Sequence, residues 1–178
     1  MGDATVRSEA ALAPLPAGVQ RVAQELQRLG HPHAPVMLDD AARTAQQAAD
    51  ALGVGVGQIA KSIIFRRKDD DAAVLVITSG DRRVDEKKVQ ALVCVEGQKL
   101  GRADADFVKA ATGFSIGGVS PVGHTQAPVT LIDRDLLRFD EIWAAAGHPH
   151  GVFRLHPDDL LHLTGAPLAD VVLREEDA

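Results

Sequence analysis

A lysine stands in the middle of an otherwise apolar run, Gln58-Ile-Ala-Lys-Ser-Ile-Ile-Phe65. The β-branched and aromatic residues favour an extended strand, and strict alternation puts Ile59, Lys61, Ile63 and Phe65 on one side. An ammonium therefore points where a core belongs. Burying it unpaired would cost several kcal/mol or force its pKa down, so one resolution is that the row opens into a pocket holding an anionic or carbonyl-rich ligand. The other is a lysine that snorkels from the strand end, its stem packed and its head in water.

The second stretch that could do chemistry is Thr112-Gly-Phe-Ser-Ile-Gly-Gly-Val-Ser-Pro-Val-Gly-His124. Its glycines permit positive φ and close approach of a ligand, while Pro121 fixes φ and removes one donor. Amides aimed at one point, here by Gly117, Gly118, Val119 and Ser120, bind a carbonyl oxygen, an oxyanion or a phosphate without a charged side chain. Read from spacing alone, Gly117-x-x-x-Pro121 also fits an ordinary tight loop between a helix and a strand.

Other catalytic patterns are missing. The chain has no phosphate loop of the Gly-x-x-x-x-Gly-Lys-Ser/Thr type, no dinucleotide fingerprint after a strand and no His-Glu-x-x-His, which disfavours a phosphoryl-transfer enzyme. Ser79, Ser115 and Ser120 lie near glycines, but no Gly-x-Ser-x-Gly elbow is present. The pairs His31/His33 and His148/His150 lack thiolates or a carboxylate at ligand spacing, so neither a metal nor another cofactor is expected. The single cysteine, Cys94, excludes an internal disulfide framework and reads as a small buried hydrophobe between valines.

The elements that must position these residues alternate between helix and strand. Val19, Val22, Ala23, Leu26 and Leu29 follow helical spacing, so residues 18–29 read as an amphipathic helix with Gly30 at its end. Further helices are expected over 41–52, 84–93, 105–112 (capped by Asp104 and closed by Gly113), around 141–146, and from Pro157 to Gly165. Strands are expected over 58–65, 74–78, 129–132 and 151–155, the first two joined as a hairpin by Lys68-Asp-Asp-Asp71. The order is mixed α and β without solenoid repeats.

Composition bounds the partners. With 178 residues, 46% of them hydrophobic, the chain has the size of one compact domain, 1–178, with no run near the ~20 apolar residues of a membrane span and no secretory leader. A cytoplasmic protein is expected. The net charge of −6 argues against a protein that grips DNA, yet Lys61 to Lys109 holds eleven Lys and Arg against nine Asp and Glu. Arg66-Arg67-Lys68, Arg82-Arg83 and Lys87-Lys88 are each able to meet a phosphate or to lie on a solvated face.

The ordered set Ala60-Lys-Ser-Ile-Ile-Phe65, Ser79-Gly-Asp-Arg-Arg-Val-Asp-Glu-Lys-Lys88, Leu100-Gly-Arg-Ala-Asp104 and Thr112-Gly-Phe through Gly117-Gly-Val-Ser-Pro121 resembles the YbaK/ProX family. These are aminoacyl-tRNA deacylases related to the editing insertion of bacterial prolyl-tRNA synthetase. The resemblance runs over about 41–172 and implies an α/β fold with a mixed, barrel-like central sheet flanked by helices. It implies hydrolysis of the ester between a wrong amino acid and the 3′ end of tRNA, with tRNA(Pro) carrying a small non-proline residue as substrate. Lys61, Gly117 and Pro121 match the family's catalytic lysine and Gly-x-x-x-Pro loop. A substrate-binding set of Ser62, Ser79, Gly80, Gly118, Val119, Ser120, His124 and His148 follows from the same correspondence.

In similar proteins a ribose hydroxyl of the terminal adenosine helps activate water, which fits the lack of a histidine–carboxylate pair here. Ser62 stands where some alanine-editing relatives carry asparagine, a departure that weakens the case for alanine alone. The chain has no synthetase catalytic or anticodon-binding segment, so the resemblance implies a free-standing enzyme acting in trans, with prolyl-tRNA synthetase as a docking partner. Two other readings stay open: a non-catalytic tRNA- or synthetase-binding module, and a hydrolase of another small ester.

Overall fold

In the computed structural model, residues 15–174 are described, and eight strands form one mixed sheet with five helices against its faces. In chain order the elements are α1 (Ala17–Arg28), β1 (Val36–Met37), α2 (Ala45–Leu52), β2 (Ile59–Arg67), β3 (Ala72–Ser79), α3 (Glu86–Val93), β4 (Leu100–Arg102), α4 (Ala105–Thr112), β5 (Val129–Asp133), β6 (Ile142–Ala145), β7 (Gly151–Leu155), α5 (Pro157–Thr164) and β8 (Leu168–Ala169). The strand path is β1-β7-β6-β2-β3-β5-β8, and β4 pairs with β2 off that path. The expected hairpin is present, with Lys61 opposite Thr78 and Phe65 opposite Val74.

Alternation along β2 divides the core. Ala60 and Ile64 face a cluster built with Val22 and Leu26 of α1, Val108 of α4, and Leu160 and Leu163 of α5. On the opposite face, Ile59 packs with Ala48 and Ala49 of α2, while Phe65 packs with Val89 and Val93 of α3. Each fully buried Leu, Val or Phe contributes roughly 1.5–3 kcal/mol, so both ends of the Lys61 face are anchored by helices. Its middle is not covered by either of them.

Three helix expectations need correction. The helix expected from residue 41 begins at Ala45, because Thr44 is extended and its hydroxyl accepts from Gln47 N–H as an N-cap. The helix expected from Val84 begins at Glu86 for the same reason, with the Asp85 carboxylate accepting from Lys87 and Lys88. Residues 141–146 are not a helix at all. Ile142–Ala145 is β6, parallel to β2 and antiparallel to β7, with Ile142 and Ala144 buried and Trp143 and Ala145 half-buried in strand alternation. The alanines favour a helix locally, but two flanking strands supply the ladder that decides the state. The other expected helices and strands lie where the patterns put them, whereas β1, β4 and β8 are too short to show a period.

Candidate active site

On one side β2 borders β3 along nearly its whole length, but on the other it meets two different strands. β6 pairs with Ile59 and Ala60, β4 pairs with residues from Phe65 to Arg67, and residues 61–64 between them have no strand partner on that edge. A cavity of about 660 Å³ opens at this fork. Because the edge itself is exposed, consecutive residues from opposite faces reach it: Lys61 from one face and Ser62 from the other both line the wall.

The Lys61 ammonium is half-buried and makes no hydrogen bond or ion pair with any described residue. Burial pulls its pKa below the usual lysine value, while the carboxylates of Asp81 and Asp133 act in the opposite direction. Asp133 is fully buried and accepts from the Thr78 hydroxyl and the Ser79 N–H. Burial opposes the charge on Asp81, but hydrogen bonds from Arg138 and Ser79 outweigh it and hold the carboxyl below its ordinary range. Both carboxylates are therefore committed elsewhere, and Lys61 is left on the cavity wall without a direct partner.

Ser62 Oγ is buried with no hydrogen-bond partner among the described residues. An orphaned buried hydroxyl forfeits about 1–3 kcal/mol, so its place on a cavity wall points to a partner supplied by the ligand.

Opposite β2, Gly117 and Val119 line the cavity, and exposed Ile116 sits at its rim. Gly117 has φ +92°, a left-handed conformation that glycine accepts without strain. The Gly118 N–H donates to Ser115 O, whereas the N–H groups of Gly117, Val119 and Ser120 have no acceptor among the described residues. Gly118 is buried against the backbone of His148.

His148 forms a third wall. Its Nδ1 accepts the His150 N–H at 3.1 Å, so the neutral ring carries its proton on Nε2. Burial, and next the neighbouring His150, lower its pKa. Among the described residues no Asp or Glu lines the cavity, and a neutral His148 with Nδ1 engaged has no free lone pair for a ligand-facing proton. The described residues of the cavity thus offer a lysine, hydrogen-bond donors and shape, but no carboxylate.

Of the sequence-derived candidates, Lys61, Ser62, Gly80, Gly117, Val119 and His148 meet on this cavity, while Ser79, Gly118, Ser120, Pro121 and His124 do not line it. Ser79 belongs to the buried network that holds Asp81, Arg138 and the Gly57 carbonyl. Pro121 and Ser120 are buried beneath the loop, where Ser120 Oγ accepts from Val122 N–H and shapes the turn. His124 donates Nε2–H to Ser120 O and packs edge-on to Phe114, and burial lowers its pKa. It braces the loop from behind.

Sequence reasoning missed Arg43, Thr44 and Trp143, which also line the cavity. Trp143 was hidden by the mistaken helix, and Arg43 by its place in a segment that precedes rather than begins α2. The other histidine pair is tied to the chain: His31 Nε2 contacts Arg154 O, and His33 Nε2 contacts the Arg154 guanidinium. Cys94 is half-buried and its thiol pKa is raised, chiefly by burial.

Comparison with known proteins gives this geometry a context. A crystal structure described as that of a candidate trans-editing enzyme for prolyl-tRNA synthetase superposes with a TM-score of 0.82 at 41% identity, covering 90% of this chain and 99% of that one. YwhH of Bacillus subtilis, a protein without an assigned function, is 34% identical over 66% of this chain and 72% of its own length. EbsC of Enterococcus faecalis, named as a candidate Cys-tRNA(Pro)/Cys-tRNA(Cys) deacylase, is 26% identical over 74% of this chain and 79% of its own. The profile of the aminoacyl-tRNA editing domain matches residues 39–163, which include β2, the glycine loop and the His148 turn, and the chain belongs to that family.

Proposed function

We propose that the protein clears mischarged tRNA(Pro) in trans, hydrolysing the ester that joins a small non-proline amino acid to the terminal ribose. The observation that carries this reading is Lys61: an unpaired ammonium on the wall of a cavity to which no described residue contributes a carboxylate. Such a charge suits a phosphate or a developing oxyanion. The likeness to a trans-editing structure over 99% of that chain supports action in trans, and the match over 39–163 supports reading about 41–172 as one editing unit.

Water adds to the ester carbonyl, giving a tetrahedral oxyanion; the bond from carbonyl carbon to ribose oxygen then breaks, releasing an amino acid and a free tRNA hydroxyl. Lys61 positions the terminal phosphate or the carbonyl, and the unused amides of Gly117 and Val119 stabilise the oxyanion. A neighbouring ribose hydroxyl of the substrate relays the proton, taking it from the attacking water while passing its own to the leaving ribose oxygen, because the described wall residues include no carboxylate to accept it. Ser62 and His148 contact the amino acid moiety. We place this activity in the cytoplasm, with prolyl-tRNA synthetase as a docking partner and no cofactor.

The test is deacylation of tRNA(Pro) charged with alanine, cysteine, serine, threonine, 2-aminobutyrate or proline. Since one methylene is worth only ~1–3 kcal/mol in an apolar pocket, clearance should be graded over the small residues. Prolyl-tRNA should be spared, and its rapid hydrolysis would overturn the reading.

A further inference from the structure

The Lys61 face of β2 continues beyond the cavity into a second depression of about 350 Å³, lined by Lys61, Ile63, Phe65, Arg83, Val84 and Arg102 among others. Arg102 lies opposite Phe65 in the antiparallel β2–β4 pair, so the two side chains emerge on the same face as Lys61. Phe65 is four residue steps along the strand from Lys61, about 13 Å at ~3.3 Å per residue. The groove therefore leads away from the cavity along the strand, with a cation at each end and Arg83 on its flank.

Most other arginines among the described residues are engaged by carboxylates. Arg67 is paired with Asp70, Arg82 with Asp135, Arg138 with Asp81, Arg154 with Glu141 and Arg174 with both Asp135 and Asp170. Arg83 and Arg102 are exposed and make no side-chain ion pair or hydrogen bond with any described residue. In a chain of net charge −6, two guanidiniums without direct ion pairs beside a lysine without one make a local site for a polyanion. Between them, Ile63, Phe65 and Val84 supply an apolar floor of the kind on which a sugar or base packs. Glu86, which is exposed, is the one carboxylate among the described residues of the lining.

We propose that this groove binds the sugar–phosphate backbone of the single-stranded acceptor end, on the 5′ side of the terminal nucleotide. Arg83 and Arg102 each take a phosphodiester while the ester lies in the cavity beyond Lys61. The assignment rests on the deacylase reading of that cavity, and it adds a subsite that holds no reacting atom.

Two measurements test it. In the first, the intact protein binds a 5′-labelled single-stranded RNA tetranucleotide, followed by anisotropy over a salt series. The double variant Arg83→Gln/Arg102→Gln should bind ~10-fold more weakly at low salt, and the slope of log affinity against log salt should shrink by about 1.4, at ~0.7 for each phosphate no longer neutralised. Glu86→Gln should tighten binding. Unchanged affinity, or weaker binding with an unchanged slope, would overturn the proposal.

In the second, the double variant should raise KM for mischarged tRNA with kcat preserved, yet hydrolyse a 3′-aminoacyl-adenosine, which has no phosphodiester, as the unaltered protein does. Equal loss on both esters would also overturn it. If the unaltered protein binds the RNA with the arginine-dependent slope but cleaves neither ester, the deacylase reading fails and the subsite stands.

Discussion

Gly118 packs so closely on His148 that a Cβ on the glycine would lie 2.7 Å from the histidine backbone nitrogen and 2.8 Å from its Cα. Two walls of the cavity, far apart in sequence, are thus in backbone contact. Displacing one displaces the other.

Gly118→Ala should therefore lower kcat/KM by ~10-fold or more, since a 1 Å misplacement at a site can cost ~10²-fold. Gly117→Ala meets only Pro149 Cγ, at an ordinary 3.9 Å, but is strained at φ +92°, so it should cost about 1 kcal/mol of stability and impair turnover through the amides it misdirects. Pro121→Ala, buried off the cavity, should act mainly on stability. Thermal melts beside steady-state kinetics separate these effects; a Gly118→Ala enzyme with full activity would remove the coupling between the walls.

Lys61→Met should reduce deacylation by at least ~10²-fold while the melting temperature holds or rises by up to about 3 °C. The lowered pKa sets the sign. Between the folded and the ordinary value the unfolded chain holds a proton that the folded chain lacks, so stability rises with pH there, and below that window the charged lysine is a constant burden. Activity carried by the ammonium should fall with rising pH before an ordinary lysine would titrate. A clear drop in melting temperature for Lys61→Met would mean that the lysine is a structural partner instead.

Ser62→Ala removes a buried hydroxyl that has no partner, so the ligand-free protein should gain up to ~1 kcal/mol in denaturant unfolding. The same variant should lose activity by ~10-fold on substrates that use the hydroxyl. Destabilisation by more than 1 kcal/mol would show that Ser62 is satisfied within the fold.

His148→Ala should change the ranking among alanyl, seryl and cysteinyl substrates more than it changes the maximal rate. The lowered pKa keeps the ring neutral at and above its ordinary value near 6.5, so that ranking should be flat from there upward and shift only in more acid solution. Stability follows the same sign: the folded state resists protonation, so this histidine's contribution is intact above 6.5 and declines as pH falls from there through the lowered value. A ranking indifferent to His148→Ala would return the ring to a purely structural part.

Much of this protein could be read along the chain because the signals are local. The helix from Ala17 carries its own apolar stripe, Asp104 and Gly113 bracket α4 with cap chemistry, and the β2–β3 hairpin announces itself by two apolar runs around an acidic turn. Lys61 was legible for the same reason, as a charge at an inward position of a strand. Nothing local distinguished β6 from a helix, since its state depends on β2 and β7, which supply hydrogen bonds that a run such as Ile-Trp-Ala-Ala does not encode. Nor could the strand pattern say that β2 would border β6 at one end and β4 at the other, leaving the edge at 61–64 open. That fork brings Lys61 and Ser62 from opposite faces into one cavity, seats Gly118 on His148, and lets Arg102 join the Lys61 face. Residue type determined which groups could act; long-range strand pairing, whose partners lie as far apart in the chain as Val36 and Val152, decided which of them meet.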